Sequence, residues 1–125
     1  MINYYKHNNI VWVSMEMATK DELQKIAEEF SINQKVLNEI SHPSAKPMVE
    51  KFDNFIYVIM HFPTIRQTQE IDFLIGKDFI ITLTYDTQNL LKDYLKFFEV
   101  NAILEKNKSF ENAGCIFCHI ITKIY

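Results

Sequence analysis

Residues 48 to 85 carry four short apolar runs, "MVEKF" (48 to 52), "FIYVIMHF" (55 to 62), "EIDFLI" (70 to 75) and "FIITLTY" (79 to 85), divided by polar residues. Runs of this length, rich in β-branched and aromatic residues, are strands rather than helices. Asp53-Asn54 and Gly76-Lys77-Asp78 supply tight turns, so the segment predicts two hairpins. Hairpins cannot bury their own faces, and the flanking chain must cover them.

The flanks are built for that purpose. "NIVWVSM" (9 to 15) reads as another strand, and "ATKDELQKIAEEFSI" then switches from period 2 to period 3.6. Thr19 and Glu22 form a capping-box pattern, and Leu23, Ile26, Ala27 and Phe30 make one apolar stripe. Asn33 caps a second helix through Val36, Leu37 and Ile40, which stops before the proline-bearing loop "HPSAKP". After Asp86, Leu90, Leu91, Tyr94, Leu95 and Phe98 mark a helix that begins near Thr87. Polar "EKNKSFEN" (105 to 112) separates it from "GCIFCHIITKIY", a helix apolar over most of its circumference. The fold class that follows is α/β: a mixed β-sheet with helices packed on both faces. The last helix ends without a stop signal, which leads us to expect a fragment of a longer chain.

At 125 residues the chain has the length of a single domain and needs no metal or haem to fold. A net charge of -3 gives no overall footprint for nucleic acid. No apolar run reaches the roughly 18 to 20 residues of a membrane helix. "MINYYKHNNI" lacks the basic and apolar regions of a secretory signal, so a cytoplasmic location is expected. In that compartment the two cysteines are thiols.

Cys115, Cys118 and His119 spell the Cys-x-x-Cys-His pattern of covalent haem attachment. Haem needs export, a second axial ligand and a pocket, and the apolar setting favours cysteines acting as small hydrophobes. Structural zinc needs four ligands, and no second Cys-x-x-Cys exists. A thiol-redox pair is expected at a helix N-terminus after a strand, whereas polar loop and Gly114 precede this one. Asp21, Glu22, Glu28 and Glu29 lie on the outer side of their helix, and Glu70 and Asp72 alternate with Ile71 and Phe73 as the wet face of a strand would. His61 reads as a strand residue satisfied by hydrogen bonds, and Tyr4 and Tyr5 as marks of a sheet edge or an interface. With no nucleophile elbow and no phosphate-binding glycine loop, nothing nominates an enzyme or a small-molecule substrate.

Two neighbouring stretches resemble one family. "KPMVEKFDNFIYVIM" (46 to 60) is similar to the Arg-Pro-Lys motif, strand, acid-Asn turn and strand of CorA-type divalent-metal transporters. "QEIDFLIGKDFIITLTYD" (69 to 86) resembles the hairpin that follows it there. Trp12 falls on that family's tryptophan strand, "ELQKIAEEFSINQKVLNEI" on its helix, break and Leu-Glu-Asp-Ile helix, and "GCIFCHIITKIY" on its apolar Tyr-Leu-Leu-Tyr helix. The motif here is Lys46-Pro47-Met48, the N-terminal strands before the tryptophan strand are mostly missing, and the stalk, membrane helices and Gly-Met-Asn signature are absent.

The resemblance implies an α/β/α sandwich, with residues 1 to 125 as a single soluble cytoplasmic domain at the inner face of the cell membrane. Its implied function is that of a regulatory, Mg²⁺-sensing domain of a Mg²⁺ and Co²⁺ transporter. Its implied partners are its own stalk and transmembrane helices and identical subunits in a homopentamer. The position matching the family's regulatory carboxylate is Glu39, with Asn38 in place of the adjacent acid. In the intact protein Mg²⁺ is the expected ion, held between Glu39 and a stalk carboxylate of a neighbouring subunit. The alternative from a different class is a free-standing binding or thiol-redox module that uses Cys115 and Cys118.

Overall fold

The computed structural model describes residues 1–7, 9–65, 67–86, 90–92, 94–95 and 112–124. Strand β1 (Ile2–His7) pairs antiparallel with β2 (Ile10–Glu16), the tryptophan strand. One strand thus precedes the tryptophan strand, and Tyr4 and Tyr5 stand on the edge of the sheet. Polar Asn3 and Lys6 break up the apolar pattern of β1, as suits an edge strand wetted on its free side.

The chain crosses into α1 (Lys20–Phe30) through the predicted capping box. Glu22 N donates to Thr19 Oγ1 at 3.2 Å, and Thr19 N donates to Glu22 Oε1 at 2.9 Å. The bond from the Thr19 backbone holds the Glu22 carboxyl below its usual range, helped by the N-terminal ammonium 3.1 Å away. At the other end Ser31 turns left-handed, φ 57, and Ile32 N bonds back to Ala27 O. Asn54 Nδ2 then donates to the carbonyls of Phe30 and Ser31 at 3.2 and 3.3 Å. The asparagine of the acid-Asn turn thus satisfies carbonyls at the helix end that lack an intrahelical donor. Helix α2 (Gln34–Ile40) follows, capped by Asn33, whose Oδ1 accepts from Val36 N at 2.9 Å.

Four strands come next: β3 (Met48–Lys51), β4 (Ile56–Pro63), β5 (Thr68–Ile75) and β6 (Phe79–Thr84). They match the predicted runs to within two residues at each end. Because β4 also pairs antiparallel with β5, the predicted hairpins are one continuous meander. The sheet order is β1-β2-β6-β5-β4-β3, with β2 parallel to β6. The last described element is α3 (Ala113–Ile124). Residues 91, 92, 94 and 95 are helical and residue 90 is a turn, while the remaining positions of the helix expected from Thr87 to Phe98, like residues 105 to 111 of the polar stretch, lie outside the described residues. No helix among the described residues is long and apolar enough to cross a membrane.

Both faces of the sheet are covered, as the fold class required. On one side Leu23, Ile26, Val36, Leu37 and Ile40 of α1 and α2 pack on Val13, Met15, Tyr57, Ile59, Leu74, Ile81 and Leu83. On the other, Ala113, Ile116 and Ile120 of α3, with Leu91 and Tyr94, pack on Ile10, Trp12, Val58, Phe62, Ile71, Phe73 and Ile80. A two-sided sheet explains why the strands read as nearly continuous apolar runs. It also overturns the wet-face reading of β5: with helices on both sides, Asp72 is fully buried and Glu70 Oε2 is sealed from solvent.

Candidate functional site

Helix α2 buries Val36, Leu37 and Ile40, and its period therefore turns Asn38 and Glu39 outward. Glu39 is half-buried, and it lines an open groove of about 660 Å³ with Asn38, His42, Lys46, Met48 and Tyr57. Asn38 Oδ1 already accepts from Gln34 Nε2 at 3.0 Å. Ser41 Oγ, which donates to Asn38 O at 2.6 Å, also meets His42 Nδ1 at 3.0 Å. The predicted metal ligand is therefore one accessible carboxylate in an open groove. Among the described residues no three His, Cys, Asp or Glu side chains are grouped to hold an ion. A hard cation here would need oxygen donors from water or another segment.

Behind this groove, on the same face of the sheet, lies the arrangement that the sequence reading missed. Register places Tyr57 opposite Leu74, Ile59 opposite Asp72, and His61 opposite Glu70. Tyr85, just past β6, closes the set from the other side. Asp72 Oδ2 accepts from Tyr85 OH at 2.7 Å and from Tyr57 OH at 3.5 Å. Glu70 Oε1 accepts from Ser44 N at 2.6 Å and lies 3.4 Å from His61 Nε2. Because His61 Nε2 also meets the Ser44 carbonyl, an acceptor, at 2.9 Å, that nitrogen carries a hydrogen. His61 is thus satisfied by hydrogen bonds, as expected.

The electrostatics follow from burial. Desolvation, then the neighbouring Glu70 carboxyl, pushes the Asp72 carboxyl up to about 9. Desolvation and the charge of Asp72 push the Tyr57 and Tyr85 hydroxyls far above their ordinary value, so both remain donors. Tyr85 OH also reaches Ile40 O at 3.0 Å, and Ser44 sits in the loop after α2. The buried acids thereby connect the sheet to the helix end that bears Glu39. The signal available in the sequence was the pair Tyr57 and Tyr85, two aromatic hydroxyls, one on β4 and one just past β6, on either side of the acid.

The Cys-x-x-Cys-His stretch occupies the first half of α3. Asn112 Oδ1 accepts from Cys115 N at 3.0 Å, so Cys115 sits in the first turn, half-buried. Cys118 is exposed, which corrects the reading of both cysteines as packing residues; the covered face is Ala113, Ile116 and Ile120. His119 Nδ1 is 2.7 Å from Tyr94 OH, and desolvation followed by the charge of Lys123 lowers its proton affinity. Burial raises the Tyr94 hydroxyl, and Tyr94 also packs on Trp12, whose Nε1 donates to Thr82 Oγ1 at 3.0 Å. These three residues thus form part of the packing on that face.

Comparison with known proteins brings one family forward. Residues 7–125 match the family model described as CorA-like Mg²⁺ transporter protein. Among solved structures, the soluble domain of CorA from Methanocaldococcus jannaschii is 19% identical, with a TM-score of 0.75 over 93% of this chain and 47% of that one. The complete CorA magnesium transporter of the same organism is 18% identical, with a TM-score of 0.72 over 96% of this chain and 38% of that one. The full-length CmaX protein is 8% identical, with a TM-score of 0.70 over 92% of this chain and 36% of that one. The chain therefore spans well under half the length of the full-length proteins it resembles. No curated protein sequence matches.

Proposed function

The chain belongs to the CorA-like Mg²⁺ transporter family, and from that premise we propose that it is the cytoplasmic, Mg²⁺-sensing regulatory domain of a divalent-ion transporter. The observation that carries the proposal is the likeness of its sheet and helix layers, over 93% of its length, to a CorA soluble domain. In this reading the chain performs no catalysis, and ions are cargo for a membrane part outside residues 1–125.

Glu39 is the proposed ligand. A half-buried carboxylate on the outer face of α2, beside an open groove, leaves room for an ion that keeps several of its waters. A second carboxylate from a stalk helix of a neighbouring subunit completes the pair, within a homopentamer at the inner face of the membrane. At high Mg²⁺ the ion bridges the carboxylates and favours the closed assembly. At low Mg²⁺ their repulsion loosens it. The ion shifts the balance only by its difference in affinity for the two states, and Co²⁺ would act through the same oxygen donors.

The test uses a longer protein that includes the segment after Tyr125. Mg²⁺ should protect it from proteolysis, and Glu39→Ala should shift the midpoint at least tenfold upward. An identical midpoint in both proteins would remove Glu39 as the ligand. The thiol-redox alternative draws on the exposure of Cys118 and the place of Cys115 in the first turn of α3. That reading requires both thiols to disappear together under mild oxidation, while a packing helix loses Cys118 alone.

A further inference from the structure

We propose that Glu70 and Asp72 hold one proton between them in the folded chain at neutral pH, and that losing it loosens the C-terminal end of α2 and the 41–46 loop from the sheet. A count of hydrogens carries the proposal. Glu70 Oε1 has the Ser44 amide as donor and shares the single Nε2 hydrogen of His61 with the Ser44 carbonyl, while Asp72 Oδ2 has Tyr57 and Tyr85. The other oxygen of each, Glu70 Oε2 and Asp72 Oδ1, is buried without a donor. The two side chains are two residues apart on one face of β5, so the two sealed oxygens share one buried region. A carboxylate only accepts, so with both acids charged neither sealed oxygen has a hydrogen, and a retained proton supplies one.

Among the described residues little faces the pair that could neutralise a second charge. Facing the pair are Tyr57 and His61 from β4, Tyr85 after β6, Glu39 from α2 through its charge on Tyr57, and Asp86 beside Glu70 at the surface. Lys46 stands exposed at the rim of the neighbouring groove. Among the described residues His61 is the basic side chain nearest Glu70, its Nε2 3.4 Å from Glu70 Oε1, and one ring can face only one of the two carboxyls. Two buried like charges at this spacing repel strongly, and a retained proton relieves them.

Loss of the proton reaches α2 through Tyr85. Its single hydroxyl hydrogen faces two acceptors, Ile40 O at 3.0 Å and Asp72 Oδ2 at 2.7 Å. The shorter bond already runs to Asp72, and a fully charged Asp72 draws that shared hydrogen further from the last carbonyl of α2. The charged pair is then relieved by water entering where Glu70 lies nearest the surface, beneath Ser44, and the loop gives way. This catch is independent of Glu39 binding any ion.

A carboxyl ¹³C and amide ¹⁵N titration of the whole chain between pH 4 and 10 tests it. One carboxyl of the pair should titrate with a midpoint above 7, and the Ser44 amide should shift at the same midpoint. In Asp72→Asn, which donates a hydrogen to Glu70 without a charge, the Ser44 step should vanish; if that variant does not fold, the native titration decides alone. Two carboxyls fully titrated by pH 5, or a high midpoint with Ser44 unmoved, would overturn the proposal. So would saturable displacement of both carboxyl resonances by Mg²⁺ at pH 7, which would make the pair a cation site.

Discussion

At the scale of single residues, Asp72 sets the sign of the pH dependence. Its folded value of about 9 lies above that of an exposed carboxyl, so near neutrality the folded chain holds a proton that the unfolded chain has released. Stability therefore falls as pH rises from the ordinary carboxylate range to about 9. The depressed groups act at lower pH: Glu22 contributes stability lost on acidification, and the lowered His119 matters only below the ordinary histidine value. Between pH 7 and 9 the unfolding free energy in urea should drop by at most about 1.4 kcal/mol per pH unit, the slope of one proton. Asp72→Asn should flatten the curve, whereas a level curve in the parent chain would contradict the burial argument. The sequence misleads here for a specific reason. Glu70-Ile71-Asp72-Phe73 alternates as a half-wet strand does, and alternation cannot reveal that a helix covers the polar face as well. Glu39 came forward in the sequence through its match to the family's carboxylate position, and Val36, Leu37 and Ile40, the buried side of α2, are what leave it outward in the fold.

At the scale of elements, local chemistry was readable wherever it is closed within a few residues. The capping box of α1 needs only Thr19 and Glu22, and both of its hydrogen bonds form. Thr19→Ala should cost about 1 kcal/mol in chemical denaturation and fray the first turn of α1 in hydrogen exchange; unchanged protection there would mean that the cap is idle. Gly76 is needed for space rather than for a left-handed backbone, since a Cβ there would fall 2.1 Å from the Phe79 ring. Phe79 in turn packs on Phe30 of α1, with ring centroids 4.8 Å apart, so displacing it disturbs a helix contact as well as a turn. Gly76→Ala should cost about 1 to 3 kcal/mol, as other forced overpacking does, and Phe79→Leu should recover part of that loss. What was not legible was pairing between distant segments. Strand β1 has a mixed pattern that any loop could show, and only its register against β2 makes it a strand. The join of β4 to β5, likewise, rests on partners across a turn that carries neither glycine nor an Asn-Gly signal.

At the scale of the molecule, one sheet is shared by two cores, and that sharing predicts how the chain unfolds. The tryptophan, Trp12, lies in the core under α3, while α1 and α2 cover the opposite face. Every central strand contributes to both cores: Val13 and Trp12 of β2, Leu74 and Phe73 of β5, Ile81 and Ile80 of β6. Neither helical layer can leave without exposing apolar residues whose neighbours in sequence hold the other layer. Tryptophan fluorescence, which reports the α3 side, and far-UV circular dichroism, which reports α1 and α2 as well, should therefore give coincident transitions. Ile120→Ala, which removes a fully buried side chain from α3, should lower both midpoints together, at a cost of about 2 to 5 kcal/mol. If fluorescence moved to lower denaturant while the dichroism stayed in place, the α3 layer would be an independently melting unit. The shared strands require the coupled outcome, because each of β2, β5 and β6 holds one core through residues whose sequence neighbours hold the other.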